Sequence, residues 1–448
     1  RQEEQVSREQ RGRFLCKPKV KEAYRGGQEY RMRNVSDADR LTKAQQREGI
    51  MKGTKQVWIV VAVVFCVAVL LPSAAISADK YVTFGQTEPL TGPLAGFGVP
   101  NKRIVELAIE KINNEGGIKV KGETYKLRVI CEDNKNTTEG AVAANNKLIH
   151  QDKVKMVMNF PTTPAIASQV VTEENKVINF IGGLHHEMLS PKKPYSFRHV
   201  MDATVTAPAL VKWITKNRPN LKSSWMTGAD DASGAAGVDG WNAACKKYGI
   251  TVAGSDLIGR QVTDFYPILA KILRANPDII GGSSSDAGAL LLKQAREKGY
   301  KGQFVTPYAA SLSWIKTGGA ENLEGTLNIG VDATSELVPK GVRDFHAAYV
   351  AKFKEEPGAW SDWQTTPPYI IAQALAKAGT IDDVEKIKAV LETESFTTPW
   401  GEIRYGGAKK FGIPRQLLIP IFISTVKNGK IAVLDRIDGP EIEKLMSE

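Results

Sequence analysis

Residues 154–189 read VKMVMNFPTTPAIASQVVTEENKVINFIGGLHHEML, and this pattern decides the fold. The short apolar run VKMVMNF has the length and flanking turn chemistry of a buried strand. TPAIASQVVTEEN follows as a helix, and KVINFIGG is a second buried strand closed by two glycines. Two buried strands joined by a helix make a βαβ unit, which requires a parallel sheet and a right-handed crossover.

The same rhythm extends in both directions. Upstream, YVTFGQTEPL is an extended run, NKRIVELAIEKINNEGG a helix, KLRVICED a strand and TEGAVAANNKLIHQ a helix. In the first of these helices Ile104, Leu107, Ala108 and Ile112 share one face, and Gly116-Gly117 terminate it. Downstream the alternation restarts after about residue 202 and runs to GQFVTPY. The predicted fold is therefore α/β, with two Rossmann-like lobes built on parallel sheets. Long helices in PKGVRDFHAAYVAKFKEEPG and TTPPYIIAQALAKAG, then DDVEKIKAVLET, lead to a β-rich end with an Asn428-Gly429 turn. The expected division gives residues 79–201 and 333–394 to the first lobe, and residues 202–332 and 395–448 to the second. Such a chain crosses its hinge several times.

The 448 residues carry a net charge of +11, with 42% hydrophobic and 24% charged side chains, ordinary for a soluble chain with a large core. Residues 1–55 hold 15 Lys/Arg against 8 Asp/Glu, so most of the surplus lies there and the remainder is near balance. A basic tail is not a basic groove, and nucleic acid is not an expected partner. Residues 1–50 are polar without apolar periodicity and are predicted to be a disordered upstream extension. Residues 51–78 have the parts of a cleaved signal peptide: Lys52 and Lys55, an uncharged apolar run, and the small-residue end PSAAISA. Met51 is then the expected start, and the protein is expected to be periplasmic. Pro72 and the small polar end speak against the competing reading as a membrane anchor.

No Walker loop, Gly-x-Ser-x-Gly elbow or His-Glu-x-x-His occurs, and GFG at residues 96–98 lacks the third glycine of a dinucleotide fingerprint. Neither a cofactor nor an enzyme activity is expected.

Specific words then narrow the class. GQTEPLTGPLAGFG, a helix ending INNEGGI, and LRVICEDNKNTTEGAVAANNKLI closely resemble the periplasmic solute-binding proteins of the branched-chain amino acid ABC transporter type. The similarity continues through DFYPILAKILRANPDII, LLLKQAREKGYKGQFV and VRDFHAAYVAKFKEEPGAWSDW, and covers residues 79–448. It implies a type I periplasmic binding fold, a Venus flytrap whose lobes close on a small solute. ABC permease subunits are the implied membrane partner, and the receptor itself a monomer.

The resemblance also implies which turns touch the ligand, placing Phe97, Thr162, Thr163, Gly183, Leu184, His185, Ser233, Ser283 and Tyr308 at the site. In amino-acid binders of this family, hydroxyls and main-chain N–H groups of the second and third turns hold the α-carboxylate. Thr162 and Thr163 match the second turn, and a helix N-terminus there suits an anion. Elsewhere the chain departs from the family. Leu184 stands at the position of a usual Thr, and Tyr308 at that of the acidic residue that pairs with the α-ammonium. The usual fourth-turn aromatic is replaced near Ser233. Losing that carboxylate should weaken amino-acid binding at least tenfold, unless Asp230, Asp231 or Asp286 substitutes. The expected ligand bears a carboxylate and is an aromatic or other organic acid, or else an amino acid. Trp314 and the neighbours Ser284 and Ser285 are further candidates for the cleft.

His185-His186-Glu187 holds two of the five histidines beside a carboxylate. Adjacent residues of an extended turn point apart and suit one metal poorly, and no third ligand is placed by pattern. A metal-dependent enzyme is the minor alternative, and a sensor-type ligand-binding module of the same fold the major one. The expectation for His185 is donation to a bound anion, neutral or charged given a reference pKa of about 6.5. Cys131 and Cys245 are expected as free thiols in separate lobes.

Overall fold

Residues 79–283, 285–358 and 361–448 are described by the structure, a computed structural model. The expected upstream extension and signal peptide lie outside the described residues. Among the described residues no helix is long and apolar enough to cross a membrane.

The first lobe begins with β1 (Lys80–Glu88), β2 (Ile118–Val120), β3 (Glu123–Asp133), β4 (Met156–Asn159), β5 (Ile178–Ile181) and β6 (Ser196–Arg198). Helices Ala95–Asn114, Thr138–Asn146 and Thr162–Glu174 connect them. The predicted βαβ unit is present: Met156 pairs with Ile178 and Asn159 with Ile181 in parallel, and every residue of both strands is buried. Helices covering both faces of a parallel sheet demand such continuous apolar runs. Helix Ala95–Asn114 buries Ile104, Leu107, Ala108 and Ile112 as expected, but it starts ahead of the predicted Asn101. The GFG segment is thus helical, and Phe97 sits on a first turn.

The second lobe holds β7 (Ser223–Ala229), β8 (Thr251–Ile258), β9 (Ile279–Gly281), β10 (Gln303–Val305) and β11 (Leu327–Asn328). Its larger helices are Ala203–Asn217, Ala232–Tyr248, Tyr266–Ala275 and Asp286–Glu297. The chain then returns to the first lobe, where Phe345 and Tyr349 of helix Lys340–Phe353 pack on Ile104, Leu107 and Ala108.

The last strands are β12 (Ser395–Thr398), β13 (Gly401–Gly406), β14 (Gln416–Leu417), β15 (Ile421–Lys427) and β16 (Lys430–Ile437). The first sheet has the order β12-β13-β14-β6-β5-β4-β1-β3-β2, and the second β16-β15-β11-β10-β9-β7-β8. Two parallel-dominated sheets are the architecture the pattern predicted. One boundary is corrected: β12 to β14 extend the first sheet, so residues 395–417 do not join the second lobe. Side-chain chemistry holds them there. Gln416 Oε1 accepts from Arg198 Nε of β6 at 2.7 Å, and Tyr405 stacks edge-on against Phe197 at 5.1 Å. β15 and β16 do belong to the second sheet, joined by Asn428 and Gly429 at φ 53° and 72°, the paired positive values of a tight hairpin turn.

The chain passes between sheets three times, after β6, after β11 and after β14. A fully buried ion pair sits at the first crossing, Arg198 Nη1 to Asp202 Oδ2 at 2.7 Å. The same guanidinium reaches β14 through Gln416, so it ties the first crossing to the third.

Candidate functional site

In each sheet the strand order reverses about one strand. β1 lies between β3 and β4, and β7 between β8 and β9. At such a switch point the connections leave in opposite directions and open a crevice beyond the strand C-termini. A narrow cavity of about 60 Å³ occupies that crevice. Every residue around it lies at or beyond the C-terminal end of a strand. Leu94 and Phe97 follow β1; Phe160, Pro161 and Thr162 follow β4; Gly182 and Leu184 follow β5; Val200 follows β6. From the other sheet come Ala229 at the end of β7, Ser233 and Gly234 beyond it, Arg260 after β8, Ser283 after β9 and Tyr308 after β10.

The first rim rests on a ladder of buried amides. Thr87 Oγ1 donates to Asn159 Oδ1 at 2.6 Å, Asn145 Nδ2 donates to the same oxygen at 2.8 Å, and Asn159 Nδ2 donates to Asn179 Oδ1 at 2.8 Å. Asn134 Nδ2 donates to the Phe160 carbonyl at 2.6 Å, fixing the turn that carries Thr162. The hydroxyl of Thr162 accepts from the Leu184 N–H at 3.1 Å, locking the β4 and β5 turns together. Accepting there leaves the hydroxyl its own O–H to donate, and with the N-terminus of helix Thr162–Glu174 that is what this turn offers a ligand. Behind this rim Glu88 is buried, its two oxygens accepting from Gln86 and Asn101, and burial holds its carboxyl well above the usual range. His199 lies under Gly182, with Nε2 2.9 Å from Gln364 Oε1; burial pulls it down to about 4, against that hydrogen bond.

The second rim is organised by Asp231 and Tyr308. Asp231 Oδ1 caps helix Ala232–Tyr248 by accepting from the N–H groups of Ser233 and Gly234 at 2.9 and 3.0 Å. Its Oδ2 accepts from Arg260 Nε at 2.7 Å and lies 2.6 Å from Nη2 in an ion pair. Tyr308 is buried and donates to the Ser233 carbonyl at 3.1 Å. Helix Ala232–Tyr248 lies so close to this ring that a Cβ on Gly237 would stand 1.6 Å from the phenol oxygen. Ser283 Oγ pairs with Ser285 Oγ at 2.7 Å.

Six predicted residues therefore meet at the cavity: Phe97, Thr162, Leu184, Ser233, Ser283 and Tyr308. Thr163, Gly183 and His185 are not among its lining residues. Gly183 faces Met188, whose sulfur would lie 2.5 Å from a Cβ there. His185 is held by its own turn. Its carbonyl accepts from Arg198 Nη1 at 2.8 Å, and its Nδ1 accepts from the Glu187 N–H at 3.3 Å, which puts the proton on Nε2. Burial, then neighbouring His186, lower its pKa, so the ring is held neutral. The two imidazoles do not diverge either; they stack with centroids 4.8 Å apart and planes at 20°. Trp314 is a core residue whose indole donates to the Ser283 carbonyl at 3.1 Å, and Ser284 lies outside the described residues. Cys131 in β3 and Cys245 in helix Ala232–Tyr248 are free thiols, and burial raises both, Cys245 to about 12. Sequence reasoning missed Arg260, the one charged residue among those lining the cavity. Its signal was a cation two residues past a parallel strand beside the switch point.

Comparison with known proteins gives this geometry a family. The profile of the periplasmic binding protein family matches residues 81–427. The Leu/Ile/Val-binding protein homolog 3 of Brucella melitensis is 27% identical over 351 residues, covering 77% of this chain and 91% of the relative. The leucine-, isoleucine-, valine-, threonine-, and alanine-binding protein of Pseudomonas aeruginosa is 25% identical over 346 residues, 76% of this chain and 90% of its own. Among solved structures, the Streptococcus pneumoniae branched-chain amino acid transporter substrate binding protein, in complex with isoleucine, superposes with a TM-score of 0.69. It is 21% identical and covers 80% of this chain and 100% of its own. A Rhodopseudomonas palustris ABC transporter solute binding protein in complex with benzoate has the same TM-score, 0.69, at 16% identity, covering 80% and 97%. At these identities the structures speak for the fold alone, while the family profile spans most of the chain. The chain belongs to the periplasmic binding protein family, a family of solute-binding receptors.

Proposed function

We propose that this receptor captures a small organic carboxylate in the periplasm by closing its lobes and hands it to an ABC permease for import. The observation that carries the reading is the cavity lining. Its walls are largely apolar and aromatic, it holds a helix N-terminus and a guanidinium for an anion, and none of the described lining residues is acidic. An apolar body with one carboxylate fits such a lining, and an α-ammonium would be buried there without an anionic partner. Residues from both rims contribute, so the ligand favours the closed form by touching both lobes at once. The R. palustris protein that holds benzoate and the S. pneumoniae protein that holds isoleucine share this fold, so the fold accommodates either class and the lining decides.

A thermal-shift screen of leucine, isoleucine, benzoate and 3,4-dihydroxybenzoate, followed by small-angle scattering, tests the proposal. The expected result is a saturable stabilisation and a compaction with an acid lacking an amino group, the ligand being recovered unchanged. A large shift with leucine and none with the other acids would overturn it.

A further inference from the structure

We infer that Arg260 sets the charge type of the ligand: its guanidinium takes the carboxylate, and its hold on Asp231 denies an α-ammonium the acid it needs. This inference rests on the carboxylate reading above and deepens it to a selection rule.

Asp231 is the acidic residue nearest to serving an amino acid, because Ser233 and Gly234, the residues it caps, line the cavity. Both of its oxygens are occupied. Oδ1 takes two helix N–H groups, and Oδ2 takes Nε of Arg260 with Nη2 in ion-pair contact. A carboxylate offers about four acceptor positions, and three hydrogen bonds with the close Nη2 cation leave it little to offer an ammonium. The other candidates do not replace it. Asp230 is exposed and is not among the lining residues, and Asp286 faces a second cavity, where Thr317 Oγ1 donates to it at 3.3 Å.

Arg260 itself is only partly spent. Asp231 engages Nε and Nη2, and among the described residues no hydrogen bond to Nη1 is present. A guanidinium carries five N–H donors in a rigid fork, so its Nη edge remains able to grip a carboxylate in bidentate fashion. Position strengthens the argument. Leu94, Phe97 and Arg260 line both the apolar cavity and a second, polar cavity edged by Gln261, Ser285, Asp286 and Ser311. Arg260 therefore stands where an apolar chamber meets a polar one. An acid with an apolar body in the apolar chamber presents its carboxylate to Arg260.

Isothermal titration of the wild type, R260M and R260K with benzoate, leucine and 4-methyl-2-oxopentanoate tests the rule; the last is leucine with an oxo group in place of the ammonium. The wild type should bind at least one of the two acids lacking an ammonium, at least tenfold tighter than leucine. R260M should lose at least tenfold in affinity for that acid, R260K should fall between, and the margin over leucine should shrink. Wild-type affinity retained in R260M overturns the role of Arg260 while leaving the carboxylate reading intact. Tighter wild-type binding of leucine than of its oxo analogue, or no binding of either acid, overturns both. If thermal unfolding shows R260M misfolded, R260Q replaces it with the same tenfold loss expected.

Discussion

The two rims of the cleft are built by different means. Beneath the first, Thr87, Asn145, Asn159 and Asn179 form a chain of buried hydrogen bonds that crosses β1, β4 and β5. Beneath the second lie a surface helix cap, an ion pair about one-fifth exposed and a tyrosine wedged against a glycine. A buried, fully satisfied polar network stiffens what it supports and is expensive to break. A partly exposed cap and ion pair contribute little to stability but present charge where a solute can feel it. The difference teaches a division of labour, with shape fixed on one side of the cleft and selectivity carried on the other.

That division can be broken by substitution. Asn159→Leu should have the largest effect on stability. It strips partners from Thr87, Asn145 and Asn179, and with roughly 1–3 kcal/mol for each buried group left unpaired, a loss of about 3–5 kcal/mol is expected in urea unfolding. Acid should act next, also through the first rim. The folded pKa of His199, about 4, lies below the ordinary 6.5, so its contribution is fully present above pH 6.5 and is lost as pH falls toward 4. At 1.36 kcal/mol per unit this amounts to about 3 kcal/mol, read as the stability gap between wild type and His199→Asn shrinking between pH 7 and pH 4.

Gly237→Ala probes the second rim. The added methyl must push Tyr308 from the Ser233 carbonyl or displace the helix, an overpacking of about 1–3 kcal/mol, and affinity should fall with it. Asp231→Asn should change stability least, by under about 1 kcal/mol, because Asn still caps the helix while the exposed ion pair is lost. Its effect should appear in ligand affinity instead. Equal stability losses in Asn159→Leu and Asp231→Asn would erase the contrast between the rims.

Sequence reading succeeded where burial writes itself into runs of residues. MVMN and INFI are apolar apart from Asn159 and Asn179 because helices cover both faces of the sheet, and Pro161 and Gly182-Gly183 mark the turns that follow. The amide ladder left no such trace: Asn145, Asn159 and Asn179 belong to three different elements, Asn134 to a loop, and they have no shared period. Only the parallel register brings them together. Arg260 escaped because β8 is an edge strand with alternating, half-exposed residues, and the polar GRQVTD after it reads as an ordinary surface loop. The C-terminal strands were legible as strands but not as members of two sheets, since Leu418, Ile419 and Pro420 between them are as apolar as their neighbours. For His185, local chain geometry defeated the rule that neighbours diverge, because the residue ahead of a short 3₁₀ turn can lay its ring over the next.

The three passages of chain between the sheets also govern the order in which this molecule can be assembled. By the time β11 has been made, neither sheet is complete, since one lacks β12 to β14 and the other β15 and β16. Partners that meet this late are far apart in sequence; Arg198 waits for Gln416. Such long-range closure slows folding and couples the halves, so neither lobe is an independent folding unit. A nick near the middle of the chain would leave two fragments that can complete a sheet only by finding each other.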